Sequence, residues 1–275
     1  MQQRRLFSIA LSSLLMGSAL AAAAQTAAPA PPNVLVIYRE YPKPGMSGTP
    51  HEKTEAAFVK LSQDMKWPVH YIAMTSMSGP NRALFVYAYD SFGAWGKDAE
   101  AQSANAAYAA ANDAAMIGDG AVLSETDAHA FLYHPEMSVH PNADVAHARY
   151  WELTSFIIKP GHEAEWMELV KIYTTGFDKI PDAHWAVFES RYGANNGGEW
   201  VSFNPMRSLD EVDKGMANSQ AFMASLGDPA MKHAAALAAD CIQSSQSNLF
   251  VVDPKMSYAS DDWVKEAPEI WSQTQ

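Results

Sequence analysis

The chain has one cysteine, Cys241, in 275 residues. An intrachain disulfide is therefore excluded, and the fold must rest on its own apolar core. Cys241 sits in the alanine-rich stretch 234–242, where a buried, inert thiol is expected rather than a nucleophile. Basic residues are also scarce: 19 Lys and Arg stand against 31 Asp and Glu, a formal net charge of -12. No Lys/Arg stripe offsets this, which argues against a nucleic acid partner and against anionic membrane surfaces. The sequence contains no phosphate-cradling glycine loop, no serine-hydrolase elbow and no Cys-x-x-Cys pair.

The longest apolar run, Leu6 to Leu20, is short for a bilayer span of about 20 residues. It follows Arg4 and Arg5 and ends in Ala21–Ala24, the pattern of a cleavable secretory signal. Residues 1–24 are thus expected to be a signal peptide and 25–32 a flexible Pro/Ala-rich linker. The mature protein is expected to be periplasmic or secreted, with no stable membrane anchor.

What is present is a repetition. Phe131-Leu132-Tyr133-His134-Pro135-Glu136-Met137-Ser138 returns as Phe250-Val251-Val252-Asp253-Pro254-Lys255-Met256-Ser257. Lys43-Pro44-Gly45 returns as Lys159-Pro160-Gly161, and His51-Glu52 as His162-Glu163. The spacing is about 115 residues, the size of a domain rather than of a solenoid unit.

Periodicity divides each half into strand, helix, strand, strand, helix, strand. The expected strands of the first half are 33–41, 68–77, 82–89 and 128–133. Its helices are 51–65 and 92–116. In the second half the strands are 150–158, 184–192, 199–203 and 248–252, and the helices 161–177 and 209–242. The last of these is expected in two pieces, because Gly227-Asp228-Pro229 cannot continue a helix interior. Two repeats, 33–141 and 145–258, are followed by a tail, 259–275, in which Trp263 and Trp271 point to packing across the body.

This order is the ferredoxin-like arrangement, an α+β unit with both helices on one face of a four-stranded sheet. Two units in one chain cover their open faces by packing sheet to sheet as a single-chain barrel. Over 33–257 the pattern resembles the dimeric α/β-barrel superfamily, which includes antibiotic-biosynthesis monooxygenase-like, NIPSNAP-like and chlorite-dismutase-like proteins. The second helix in each half separates it from the vicinal-oxygen-chelate arrangement. The resemblance implies either a cofactor-independent oxygenase or a haem enzyme, with His184 or His233 as the axial-ligand candidates.

Three groups of residues invite a chemical reading. His51-Glu52 and His162-Glu163 lack the second histidine four residues on that a zinc-protease helix requires; Glu55 and Trp166 stand there instead. They read as helix starts, with Glu52 and Glu163 favoured by the helix dipole, and no metal site is assigned. His70 and His184 each begin the second strand of a half, as ligand contacts or as structural histidines. Alternation puts Val36 and Tyr38 on one face, and the repeat puts Glu152 and Thr154 on the matching face of the second half; Tyr87 and Tyr89 correspond in the same way to Ser202 and Asn204. Tyr38, Tyr87, Tyr89, Glu152, Thr154, Asn204, His70 and His184 are the expected lining of a cleft for a small, partly aromatic molecule. The alternatives are a rim glutamate with ordinary core tyrosines, and a fully packed interaction protein.

Overall fold

The computed structural model describes residues 29–193 and 198–272. The expected signal segment 1–24, the start of the linker, residues 194–197 and the last three residues lie outside the described residues.

The first half contains β1 (Val34–Pro42), α1 (Thr49–Asp64), β2 (Tyr71–Ser76), β3 (Ala83–Tyr89), α2 (Phe92–Ala104), α3 (Ala106–Gly120) and β4 (Leu123–Tyr133). The second contains β5 (Tyr150–Ile158), α4 (Glu163–Phe177), β6 (Ala186–Tyr192), β7 (Glu199–Met206), α5 (Asp210–Cys241) and β8 (Ile242–Val252). Two short helices, α6 (Asp261–Glu266) and α7 (Pro268–Trp271), form the tail. The strands close into one antiparallel barrel in the order β1-β3-β2-β8-β5-β7-β6-β4. Each half supplies four adjacent strands, and the halves are joined edge to edge through β2·β8 and β4·β6. Closure removes every free sheet edge.

The repeated Lys-Pro-Gly turns explain themselves locally. Gly45 and Gly161 take positive φ of 82° and 85°, a conformation that disfavours a side chain. Each turn's lysine then caps the last helix of its half. Lys43 donates to the Ala121 carbonyl at 2.8 Å and Lys159 to Ala239 at 2.7 Å. Cations satisfy orphan carbonyls at helix C-termini in this way.

The helices depart from expectation in one place. The alanine-rich stretch of the first half is two helices, because Asn105 has an extended ψ of 96° and its side chain accepts from Tyr108 N. An asparagine cap inside an alanine run starts a new helix. In α5, Gly227 (φ 73°) breaks the helix two residues before Pro229. β4 and β8 begin earlier than expected, since their first residues, Ser124–Asp127 and Gln243–Ser247, are polar and hide the strand pattern.

The barrel interior is the largest apolar cluster, with Leu35, Ile37, Trp151, Leu153, Phe188, Phe203 and Phe250 among its members. Ala267, Ile270 and Trp271 of the tail join it, and Trp271 Nε1 donates to the Ala146 carbonyl at 2.8 Å. The tail is therefore part of the core. Outside the barrel, α1–α3 cover the first sheet and α4–α5 the second. Among the described residues, no helix is long and apolar enough to cross a membrane.

Candidate functional site

The pseudo-twofold arrangement brings the starts of β2 and β6 to the same end of the barrel. A cavity of about 860 Å³ opens there. Its walls are Leu35, Ile72, Met74, Val86, Trp151, Phe188 and Phe203, the inward positions of six strands. His70, Asp144, His147, His184, Arg207, Trp263 and Glu266 also line it, together with Pro29–Pro32. The opposite end is closed by charge. Arg39 forms a two-pronged pair with Asp127 and donates to His129 Nε2 at 2.6 Å. The other His129 nitrogen lies 3.3 Å from the Glu199 carboxylate.

One pair at the open end is built by the chain's own local geometry. Asp144 caps a short 3₁₀ turn, Val145–His147, accepting from His147 N at 3.3 Å and from the imidazole Nδ1 at 2.8 Å. Arg207 Nη2 donates to the same carboxylate at 2.6 Å. Burial alone would raise the Asp144 carboxyl, but the bonds from His147 and Arg207 hold it below the usual range. The hydrogen bond to Asp144 raises His147 above its ordinary value, against a smaller opposing effect of burial. The pairing fixes the tautomer and leaves Nε2 without a hydrogen-bond partner among the described residues. A carboxylate-oriented imidazole with a free Nε2 is suited to accept a proton or to bind a hydroxyl.

The other two histidines differ. His184 Nε2 lies 2.7 Å from the Pro205 carbonyl and Nδ1 3.2 Å from that of Asp182, so both nitrogens face backbone acceptors. His70 stacks on Tyr258 with ring centroids 4.5 Å apart, and its Nδ1 is buried without a partner. His70 and His184 thus meet at one cavity, as two of the eight expected contacts.

The remaining six do not line it. Trp151, Leu153 and Phe203 belong to the barrel interior, so Glu152, Thr154 and Asn204 between and beside them face outward. Thr154 hydrogen-bonds Ser247 at 2.7 Å, across the outer face of β5 and β8. Tyr38, Tyr87 and Tyr89 lie on the helix side of the first sheet. Tyr89 donates to Asp98 of α2 at 2.9 Å, and Tyr87 packs against Tyr38 and Tyr71. The expected inter-sheet cleft built on these six is corrected by one residue of phase. Strand β1 is buried on both faces from Val34 to Ile37, so its alternation carries no direction. The missed residues, Asp144 and His147, left one trace in the sequence: an Asp-x-x-His step beside Pro141, without a counterpart in the other half.

The two His-Glu steps do stand at helix starts, with Glu52 in the first turn of α1 and Glu163 in that of α4. Glu52 pairs with Lys255 at 3.0 Å, and His162 occupies the N-cap position of α4 without a side-chain capping bond. His51, however, is only 2% exposed and lies among Glu40, Glu55 and Asp119.

Neither candidate haem ligand fits that role. The nitrogens of His184 are engaged as described, and His233 bonds Glu168 at 2.7 Å on the outer helical surface. An axial ligand must offer an unengaged nitrogen lone pair to the group it holds.

Sequence comparison matches the chain to no family model and to no curated protein. Solved structures do match in fold. A protein described as a candidate monooxygenase from Fusobacterium nucleatum aligns with a TM-score of 0.51 at 15% identity, over 81% of this chain and 93% of that one. An anthrone oxidase-like protein aligns at 0.50 and 12% identity, over 83% and 94%. A variant chlorite dismutase from Candidatus Nitrospira defluvii aligns at 0.49 and 10% identity, over 86% and 95%. The architecture is the ferredoxin-like dimeric α/β barrel, contained here in a single chain.

Proposed function

We propose that the open end of the barrel binds a small, partly aromatic molecule carrying an acidic hydroxyl. The observation that carries this is one cavity combining apolar, aromatic walls with the Asp144–His147 pair at its rim. Its volume lies within the range of about 300–1,000 Å³ typical of small-molecule sites. Trp151, Phe188 and Phe203 offer ring faces and edges, while His147 Nε2 takes the hydroxyl.

A second reading, proton abstraction, is favoured by the same pair. His147 would take a proton from a substrate O–H or C–H, and Asp144 would stabilise the imidazolium that results. An anthrone, the compound class in one structural neighbour's description, has such an acidic C–H and a flat aromatic body. The reading also includes export, with cleavage near Ala24 delivering the protein to the periplasm or medium. N-terminal sequencing of protein from those fractions checks it; an intact Met1 there contradicts it.

The test is a fluorescence titration with 1-naphthol and with anthrone, which tryptophans at the cavity report. Saturable quenching is expected, weakened about tenfold in His147→Ala, the loss of one hydrogen bond to a polar partner. Slow deuterium exchange at the anthrone methylene that wild type accelerates and His147→Ala does not would establish abstraction. No quenching by either probe would overturn the binding reading.

A further inference from the structure

On the outer side of the first sheet, away from the barrel cavity, four ionisable side chains converge. Glu40 comes from β1, His51 and Glu55 from successive turns of α1, and Asp119 from the end of α3. One ligand atom from each lies within 4.8 Å of all the others. His51 Nε2 is 2.8 Å from Glu40 Oε2, 3.9 Å from Glu55 Oε1 and 3.7 Å from Asp119 Oδ1. No lysine or arginine pairs with any of the three carboxylates among the described residues. Thr54 Oγ1 donates to Asp119 Oδ1 at 2.6 Å and fixes that carboxylate's orientation.

The cluster is sealed. His51 and Glu55 are 2% and 3% exposed, and Glu55 Oε1 is buried without any hydrogen-bond partner. The Tyr71 hydroxyl, on β2 of the same sheet, is likewise buried and unpartnered. A buried carboxylate oxygen left without a donor is costly unless a cation or proton occupies the space before it.

The second half shows that the fold itself does not ask for the two glutamates. By the repeat, Phe156 stands where Glu40 does and Trp166 where Glu55 does. Those two side chains pack with Leu169, Ala234, Leu237 and Cys241 into an apolar wedge between sheet and helices. The positions of Glu40 and Glu55 are thus aromatic in the second half, while the histidine recurs there as His162.

We propose that Glu40, His51, Glu55 and Asp119 bind a divalent first-row metal ion. Bonds of about 2.0–2.2 Å to four donors require donor separations of roughly 3.3–3.6 Å, and the observed separations from His51 Nε2 straddle that range. Carboxylate oxygen in the majority, with one imidazole and no thiolate, suits Mn²⁺, Fe²⁺ or Zn²⁺ better than the soft-ligand metals. The burial makes the site a closed one, tying α1 and α3 to β1. Helix position 55 supplies the second ligand of an i, i+4 pair, a carboxylate where a zinc-protease helix carries histidine. The rival account is a metal-free cluster that shares protons. Burial, with Glu40 and Asp119 beside it, pushes Glu55 up to about 10 in that state.

The test uses the whole mature chain, stripped with EDTA and then titrated separately with Mn²⁺, Zn²⁺ and Mg²⁺. Bound metal is measured by mass spectrometry and stability by thermal melting. One equivalent of Mn²⁺ or Zn²⁺ is expected, with a melting temperature raised by several degrees. Both effects are lost in Glu55→Gln and in Asp119→Asn and kept in His233→Ala, a surface His–Glu pair on the other half. If Glu55→Gln fails to fold, Asp119→Asn decides. Substoichiometric metal with an unmoved melting temperature, or a shift that survives either substitution, overturns the proposal.

Discussion

The two ends of the barrel are made from the same strands and do opposite things. At one end the inward residues are Leu35, Ile72, Trp151, Phe188 and Phe203, and they leave a cavity. At the other, Arg39, Asp127, His129 and Glu199 lock together and the space is taken by ion pairs. A closed barrel of this size has a filled or nearly filled interior, so the choice of side chains decides where a ligand can enter. Charges paired with one another seal an end, whereas aromatic walls with an imidazole at the rim leave it receptive.

The largest effect is expected from the tail, whose Trp271 packs into the interior cluster. Trp271→Ala removes a fully buried indole and should cost about 3–5 kcal/mol, read from urea unfolding. At the sealed end, Arg39→Met strands the Asp127 carboxylate. The partners are about a third exposed, so a loss of about 2 kcal/mol is expected, with probe affinity at the open end unchanged within twofold. A large fall in probe affinity would break the separation of the two ends.

Smaller effects follow from Asp144 and His147. The lowered carboxyl contributes stability above its unfolded pKa, and this is lost as pH falls through the folded value. The raised imidazole contributes below its unfolded pKa, and this is lost as pH rises through the folded value. The two overlap between about pH 4 and 6.5, where wild type should exceed Asp144→Asn by at most about 1 kcal/mol. The pH midpoint of probe binding should move lower in Asp144→Asn. Arg207→Ala, at a largely exposed side chain, should change stability by less than about 1 kcal/mol.

The architecture was legible because it is written in redundant signals: two copies of a strand-helix pattern and two Lys-Pro-Gly turns that cap equivalent helices. The site was legible only in part. His70 and His184 stand at element boundaries, which periodicity locates well enough, and both reach the cavity. Tyr38 requires the phase of β1, which is buried on both faces from Val34 to Ile37 and which period two alone does not supply, and the repeat carries the same phase over to Glu152. Asp144 and His147 lie in an irregular segment between the halves, where no periodicity exists. The Glu40–Asp119 cluster is hidden differently, since Glu55 stands where a zinc-protease helix carries histidine and Asp119 lies 64 residues further along the sequence.

The most direct test of the open-end assignment is a crystal structure of the protein soaked with 6-bromo-2-naphthol. The account predicts a bromine anomalous peak among Trp151, Phe188 and Phe203, with the naphthol hydroxyl toward His147 Nε2. A peak beside Arg39 and Glu199, or a cavity left without the probe at saturating concentration, would contradict it.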